Sequence, residues 1–493
     1  MNMIAAHHLQ DAVVETHTAI VGAGASGLTL AGSLNRDLVV IESGSQEPDI
    51  DLQYAHYSVI SGRRINPDAV RVRAIGGATT RWTGRCIELD EYDFEVRPWI
   101  GPSTWAIGKA DLEPWYRAAW KSLQVVRGDD GKAARKRGID ADICNRDGLN
   151  PCVWWYSYRG RRKYLSLGDS CRRLFDRPSR RLLYLADAVG FESEGSRVTG
   201  IRIIDRNGRS ILVRAKEFVL AGGAIDNIKM LLHQRPSHPA LLGPSERWLG
   251  RGFMQHLRVD CGTIRQTPHQ FRAMQRRLNR FPRNGRGFHE VGLAMAPDHA
   301  RRERLGNASA YFNYTPGWAR YSPLKLPQVL PWGMGREVIF PFGTAQLMID
   351  SEQTVSFDSR VTLDDEDIGP HGIPCANVHW TVSDEDMLTN WAMAANLGEW
   401  IKRQNFGELE LGEGIASDAI DESRIHDSNH PLGGTRMSET AATGVVDRDC
   451  RVHGTANLFV LGGSVFSTGG HANPTLTMVA LAHRLASHLS HAS

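Results

Sequence analysis

Apolar residues fall into short, sharply bounded blocks over the first 44 positions. Thr18, Ala19, Ile20 and Val21 make a run of strand length, Gly-Ala-Gly-Ala-Ser-Gly follows at 22–27, and helix-like spacing continues through 28–34. A second run, Leu38, Val39, Val40 and Ile41, ends on Glu42. Strand, glycine turn, helix and strand in that order predict the opening of a doubly wound α/β domain. The pattern returns at 182–189, and at 217–221 with a helical repeat over 224–232. It returns last at 458–489, read as strand, glycine-rich turn and helix.

Between these blocks the chain reads differently. Residues 102–181 are rich in Trp, Arg and turn formers and show no βα alternation. Residues 261–420 mix strand candidates (355–363, 376–381) with one long helical candidate, 384–404. At 493 residues the chain exceeds one typical domain. The expectation is a discontinuous cofactor domain from 14–101, 182–260 and 421–493, interrupted by a substrate domain from 102–181 and 261–420.

Composition removes several classes. With 41% hydrophobic and 23% charged residues the chain has the balance of a globular protein. A net charge of +3 beside 58 basic and 55 acidic residues gives no case for nucleic acid. Seven scattered cysteines without a CxxC pair support neither a metal site nor a disulfide framework, and they favour a reducing compartment. Residues 1–17 lack the basic-then-apolar pattern of a secretory signal, and no stretch nears the ~20 apolar residues that span a bilayer. The expectation is a cytoplasmic protein with no metal, no membrane partner and no nucleic-acid partner.

Gly22, Gly24 and Gly27 occupy GxGxxG between the first strand and helix. The first permits the turn, the second lets backbone approach a pyrophosphate, and the third lets helix and strand pack closely. Ala25 and Ser26 complete the helix N-terminus, where free N–H groups favour phosphate. Glu42, 20 positions after Gly22, is placed to accept bonds from the hydroxyls of an adenosine ribose. The motif alone does not separate FAD from NAD. Its position near the start, with a second glycine-rich strand–turn–helix at the end, suits a discontinuous FAD domain.

The segment from His430 onward reads HPLGGTRM, then GVVDRDCRVHGTANLFVLGGSVF, then GGHANPTLTMVALAHRLASHL. With GAGASG, IGGATTRWTGR (75–85), DLEPWY (111–116), FVLAGGAIDN (218–227), GRGFMQH (250–256) and SRVTL (359–363), it closely resembles the glucose–methanol–choline family of FAD-dependent oxidoreductases. The bacterial sugar-oxidising and pyranose-oxidase-like branches come nearest. The resemblance implies an α/β fold (α+β overall). It would hold a Rossmann-like FAD-binding domain, interrupted by a substrate-binding domain with a mixed or antiparallel sheet.

Carried over residue by residue, the resemblance makes His430 the catalytic histidine and Asn473 the second active-site residue. Such a pair suits alcohol oxidation, since an imidazole takes the hydroxyl proton while an amide N–H holds the developing oxyanion. His471 and His256 are read as supporting and structural residues. Gly77, Thr79, Thr80 and Thr83 would lie on a loop over the flavin, and Val189, Gly222, Gly463, Pro474 and Thr475 would contact the cofactor elsewhere. Pyranose 2-oxidases carry a flavin-tethering His just before Trp. Arg81 stands there before Trp82, which implies noncovalent FAD.

The implied partner is a small-molecule alcohol on a sugar, glycoside or sugar-containing metabolite, with oxygen or another electron acceptor. A non-sugar alcohol, or a lyase or non-redox flavoprotein on the same fold, are the alternatives. Trp154, Trp155, Tyr156 and Tyr158 precede Arg159, Arg161, Arg162 and Lys163 in a segment that departs from the family pattern, which makes it a candidate for substrate choice.

Overall fold

The Gly22 turn closes the end of Thr18–Val21, an inner strand of a six-stranded parallel sheet. The computed structural model describes residues 2–63, 65, 71–102, 105–157, 165–283, 287–317, 337–412 and 424–491. The sheet order is Met3–Ala5, Arg180–Tyr184, Leu38–Glu42, Thr18–Val21, Glu217–Leu220 and Leu458–Val460. Leu38–Glu42 is buried throughout, as a strand covered on both faces must be, and helices Ala25–Ser33 and Thr475–His491 pack together beside it. From Thr18–Val21 the chain first extends the sheet one way, to Leu38–Glu42, and later the other way, to Glu217–Leu220. That reversal opens a crevice at the carboxyl ends of the strands, where ligands of open α/β sheets bind.

A four-stranded sheet runs Val13–Glu15, Ser210–Arg214, Arg197–Asp205, Ala186–Glu194. The largest sheet is antiparallel and runs Glu408–Leu411, Leu257–Arg265, Gly343–Ser351, Ala308–Pro316, Phe288–Met295, Leu149–Tyr156, Arg85–Cys86. Its register pairs Arg258 with Asp350, Tyr311 with Met348, Trp154 with Glu290 and Arg85 with Tyr156. Strand alternation therefore collects charged and aromatic side chains on one face. Among the described residues, no helix is long and apolar enough to cross a membrane.

Several elements differ from the sequence expectation. Met3–Ala5, upstream of position 14, adds an edge strand to the parallel sheet. Arg85–Cys86 and Ile425–Asp427, from stretches assigned to the cofactor domain, pair within the antiparallel sheet. Hydrophobic pattern marks an element but not the sheet it joins. The strand expected at 355–363 is Arg360–Ile368, because Val355 N–H donates to the Ile100 carbonyl instead of a ladder. The 102–181 region holds the helix Lys109–Ser122, which buries Leu112, Tyr116, Ala119 and Trp120. Those positions repeat at helical spacing, and Pro114 in the second turn obscures it.

Candidate functional site

The crevice is built on three glycines with separate steric roles. Gly22 has φ +106°, and a Cβ there would lie 2.4 Å from the Ala221 carbonyl oxygen. A Cβ on Gly27 would lie 1.9 Å from the Gly22 oxygen, so this glycine packs the helix against the turn and does not line the crevice. A Cβ on Gly24 would meet nothing within 4 Å, because that face is open. Helix Ala25–Ser33 begins at Gly24 without a side-chain cap, which leaves N-terminal N–H groups at the opening.

Glu42 is buried on the crevice wall, and its carboxylate accepts from Ala23 N–H and Gly44 N–H, each at 2.8 Å. Burial raises its pKa, and the two backbone donors oppose that shift without cancelling it. Each carboxylate oxygen keeps a further acceptor site.

Gly77, Thr79, Val189, Gly222, Gly463, Pro474 and Thr475 join Gly22, Gly24, Ala25, Ser26 and Glu42 on the wall. Thr80 and Thr83 do not, and Thr83 is exposed. The two adjacent hydroxyls serve the loop itself. Thr79 donates to the Gly76 carbonyl (2.5 Å) and accepts from Leu167 N–H (3.1 Å), and Thr80 donates to the Gly77 carbonyl (2.9 Å). Trp82 lines the crevice and donates its indole N–H to the Leu165 carbonyl (2.7 Å), while Arg81 is exposed. Tyr158, Arg159, Arg161, Arg162 and Lys163 lie outside the described residues.

A charged rim was not legible beforehand. Arg71 and Arg73 pair with Asp226 at 2.7 and 2.8 Å in the first turn of Ala224–Gln234. Burial acts to raise the Asp226 carboxyl, but the two guanidinium groups hold it far below the carboxylate range. His56 and His371 both pair with Asp187, at 3.4 and 2.8 Å. Asn227 ties the crevice strands together, accepting from Gly222 N–H (2.9 Å) and donating to the Leu461 carbonyl (2.8 Å). The sequence carries Asp226 and Asn227 in FVLAGGAIDN, yet Arg71 and Arg73, which pair with Asp226, and Leu461, which accepts from Asn227, lie far along the chain.

His430 and Asn473 meet at one end of the crevice. Asn473 Nδ2 is 3.3 Å from His430 Nε2; His430 lines the crevice, and Asn473 is half-buried beside it. The backbone N–H of His430 donates to Gln255 Oε1 (2.8 Å). On its other side, His430 Nδ1 lies 3.0 Å from both His256 Nδ1 and Ser428 Oγ. Desolvation, then His256 and the Arg258 charge, hold His430 well below the ordinary imidazole pKa, so the ring is neutral near neutral pH.

His471, two residues before Asn473, is in the opposite state. Its Nε2 lies 3.2 Å from Asp90 Oδ2, and although burial disfavours its charge, the Asp90 hydrogen bond and carboxylate raise its pKa. The two histidines thus have opposite protonation tendencies, His430 toward the neutral ring and His471 toward the charged one.

Arg258, Asp350 and Arg85, whose charges act on His430, belong to the charged and aromatic sheet face. Arg258 forks onto Asp350 with bonds of 2.8 and 2.9 Å. The buried Arg85 guanidinium lies 3.8 Å from the Trp154 ring centroid and 4.6 Å from that of Tyr311, beside Glu290. Tyr156 donates its hydroxyl to Glu290. Arg258, Asp350 and Ser428 carry no motif signal, and Arg85, Gln255 and His256, though inside the motifs 75–85 and 250–256, meet their partners only through strand register and chain crossing.

An uncapped helix N-terminus, an open Gly24 and a buried carboxylate on one wall form a donor and acceptor set that fits a dinucleotide, with N–H groups for pyrophosphate and a carboxylate for ribose. Residues 356–482 match the GMC oxidoreductase family, whose flavoproteins use FAD. The chain is 25% identical over 324 residues to 2-methyl-1,2-propanediol dehydrogenase of Mycolicibacterium austroafricanum, covering 60% of this chain and 52% of the relative. It is 33% identical over 135 residues to C-glycoside 3-oxidase of Microbacterium trichothecenolyticum (27% and 24% covered). It is 24% identical over a 520-residue alignment to paromamine 6'-oxidase of Streptomyces fradiae (95% and 90% covered). The match thus spans about half of the first relative, about a quarter of the second and most of the third. The fold is that of pyridoxine 4-oxidase from Mesorbium loti, with TM-score 0.62, 14% identity, and 97% and 99% of the two chains covered. The family match over residues 356–482, the fold and the full-length likeness to an oxidase point the same way, and the chain is similar to the GMC oxidoreductases.

Proposed function

We propose that the protein oxidises an alcohol group to a carbonyl, with His430 as base and Asn473 as the group that steadies the substrate oxygen. The observation that carries this reading is His430 on the crevice wall, with Asn473 Nδ2 3.3 Å from its Nε2 and burial holding its pKa below the ordinary imidazole value. The hydroxyl proton passes to His430 Nε2, and the Asn473 N–H holds the oxygen as its negative charge develops. The carbinol carbon then loses a hydride, two electrons leave the substrate, and its C–O bond becomes C=O. FAD, when bound, supplies the hydride acceptor.

Gly22, Gly24, Ala25 and Ser26 would hold the pyrophosphate and Glu42 the ribose. Gly77, Thr79, Val189, Gly222, Gly463, Pro474 and Thr475 would line the rest of the site. Arg81, not a histidine, stands directly before Trp82 and is exposed, which supports noncovalent attachment. Seven free, buried thiols suit a reducing, cytoplasmic setting.

For the substrate we favour a sugar, glycoside or related polyol. A relative named for a C-glycoside supports it. A non-sugar diol is the second reading, favoured by the relative named for 2-methyl-1,2-propanediol. Oxygen or another acceptor would reoxidise the cofactor. Anaerobic mixing with a panel of glycosides, polyols and simple diols tests the reading. Bleaching of the flavin band by one class supports it, and a flavin that no alcohol bleaches would overturn it.

A further inference from the structure

The base described above works only if Nε2 of His430, and not Nδ1, carries the lone pair. Two strands of chain are clamped side by side next to it. Met254 N–H donates to the Leu432 carbonyl (2.8 Å), and Leu432 N–H returns a bond to the Met254 carbonyl (2.9 Å). Gln255 accepts from His430 N–H, and its own N–H donates to Gln353 Oε1 (3.0 Å). This clamp fixes the His256 ring against the His430 ring, with the two Nδ1 atoms 3.0 Å apart.

The hydrogen positions follow from the far end of the chain of bonds. His256 Nε2 lies 3.2 Å from the Gly469 carbonyl. A carbonyl oxygen only accepts, so His256 Nε2 carries a hydrogen. His256 is 1% exposed, and burial, with the nearby His471 charge, holds its pKa below the ordinary value. Its ring is therefore neutral, and its Nδ1 is a bare acceptor. Two bare nitrogens at 3.0 Å would repel without relief from water, so the hydrogen between the rings sits on His430 Nδ1. His430, also neutral, is left with its lone pair on Nε2, the atom that faces the Asn473 amide.

We propose that His256 is a positioning residue that sets the tautomer of His430, through a bond chain that starts at the Gly469 carbonyl. The loop 469–473 thereby supplies both ends of the circuit. Gly469 orders the two imidazoles, and Asn473 meets the nitrogen they free. Ser428 Oγ, also 3.0 Å from His430 Nδ1, accepts a share of the same hydrogen. The charged groups around the pair are Arg258 and Asp350 on the sheet, Arg85, Glu352, and His471. The catalytic consequence rests on the alcohol-oxidation reading, whereas the tautomer does not.

The test is the ring-nitrogen spectrum of protein labelled with [15N]histidine, with His430→Gln used to assign the His430 signals. Wild type should show His430 protonated at Nδ1 and bare at Nε2. His256→Asn places an amide oxygen where Nδ1 stood and should keep that tautomer. His256→Leu removes the acceptor and should give a mixture. With an alcohol that bleaches the wild-type flavin, His256→Leu should slow anaerobic reduction by about 10–100-fold, the usual effect of losing an orienting partner, with substrate affinity nearly unchanged. His256→Asn should stay within about 5-fold. A wild-type His430 protonated at Nε2, or a His256→Leu spectrum matching wild type, would overturn the proposal. The spectra decide the tautomer even if no alcohol is turned over, so a failure of the relay and a failure of the oxidation reading are told apart.

Discussion

Asn473 Nδ2 stands 3.3 Å from His430 Nε2, with the two residues 43 positions apart in the chain. The contact exists because HPLGGTRM and GGHANPT both flank the strand Leu458–Val460 and its 3-10 turn Gly463–Val465, and Gly433 N–H bonds back to the Gly463 carbonyl. If both groups serve one developing oxyanion, Asn473→Ala should slow flavin reduction by about two orders of magnitude. The His430→Ala, Asn473→Ala double variant should fall short of the product of the single effects. Full multiplicativity in single-turnover reduction would mean that the two act on separate steps.

The pH profile follows from the sign of the His430 shift. Its pKa is lowered, and the neutral ring is the active form, so activity is lost as pH falls through the folded value. The reduction rate should stay flat from neutral pH down through about 6.5, the ordinary histidine value, and drop only below it. A fall centred at or above that value would show that burial does not control this group.

His471 and Asp90 predict a pH-dependent stability. The His471 pKa is raised, so its contribution is complete below about 6.5 and is lost as pH rises through the folded value. The Asp90 carboxyl is lowered, chiefly by His471 acting against its burial, so its contribution is complete above about 3.9 and lost as pH falls through the folded value. Asp90→Asn should therefore destabilise most between about pH 4 and 6.5 and least in alkali. Asp90 is 38% exposed, which cuts the loss from the buried-pair range to about 1–2 kcal/mol. Thermal melts across pH check this, and a loss that grows with alkalinity would refute the ion pair.

Crevice chemistry is tested by retention of the chromophore. Glu42→Ala leaves the N–H groups of Ala23 and Gly44 unpaired, at about 1–3 kcal/mol each, and should weaken both folding and FAD retention. Thermal melts and flavin content measured side by side on the variant should separate the two effects. Acid precipitation of the wild type should leave the yellow chromophore in the supernatant, and colour that stays in the pellet contradicts noncovalent binding.

Much of the parallel-sheet region was legible because its signals are local. The strand 18–21, the glycine turn and Glu42 lie within 25 residues, and the burial of Leu38–Glu42 on both faces writes itself as an unbroken apolar run. The antiparallel sheet was not. Arg85 and Tyr156 become neighbours only through antiparallel pairing, and Arg258 and Asp350 are 92 positions apart. A strand that alternates charged and apolar residues, such as Leu257-Arg258-Val259-Asp260, predicts two faces but not what each one meets. His256 read as structural for the same reason, since no periodicity marks a ring 174 positions from its partner.

The central claim is that His430 removes the hydroxyl proton as the hydride leaves. Its most direct test is stopped-flow anaerobic reduction of FAD-loaded wild type and His430→Ala by an alcohol that bleaches the wild-type flavin, followed across pH. Loss of a positioned base should slow reduction of the variant by roughly two to four orders of magnitude, and the acidic fall of the profile should disappear, with FAD content and substrate affinity far less changed. A variant that keeps the wild-type rate and pH profile would contradict the assignment.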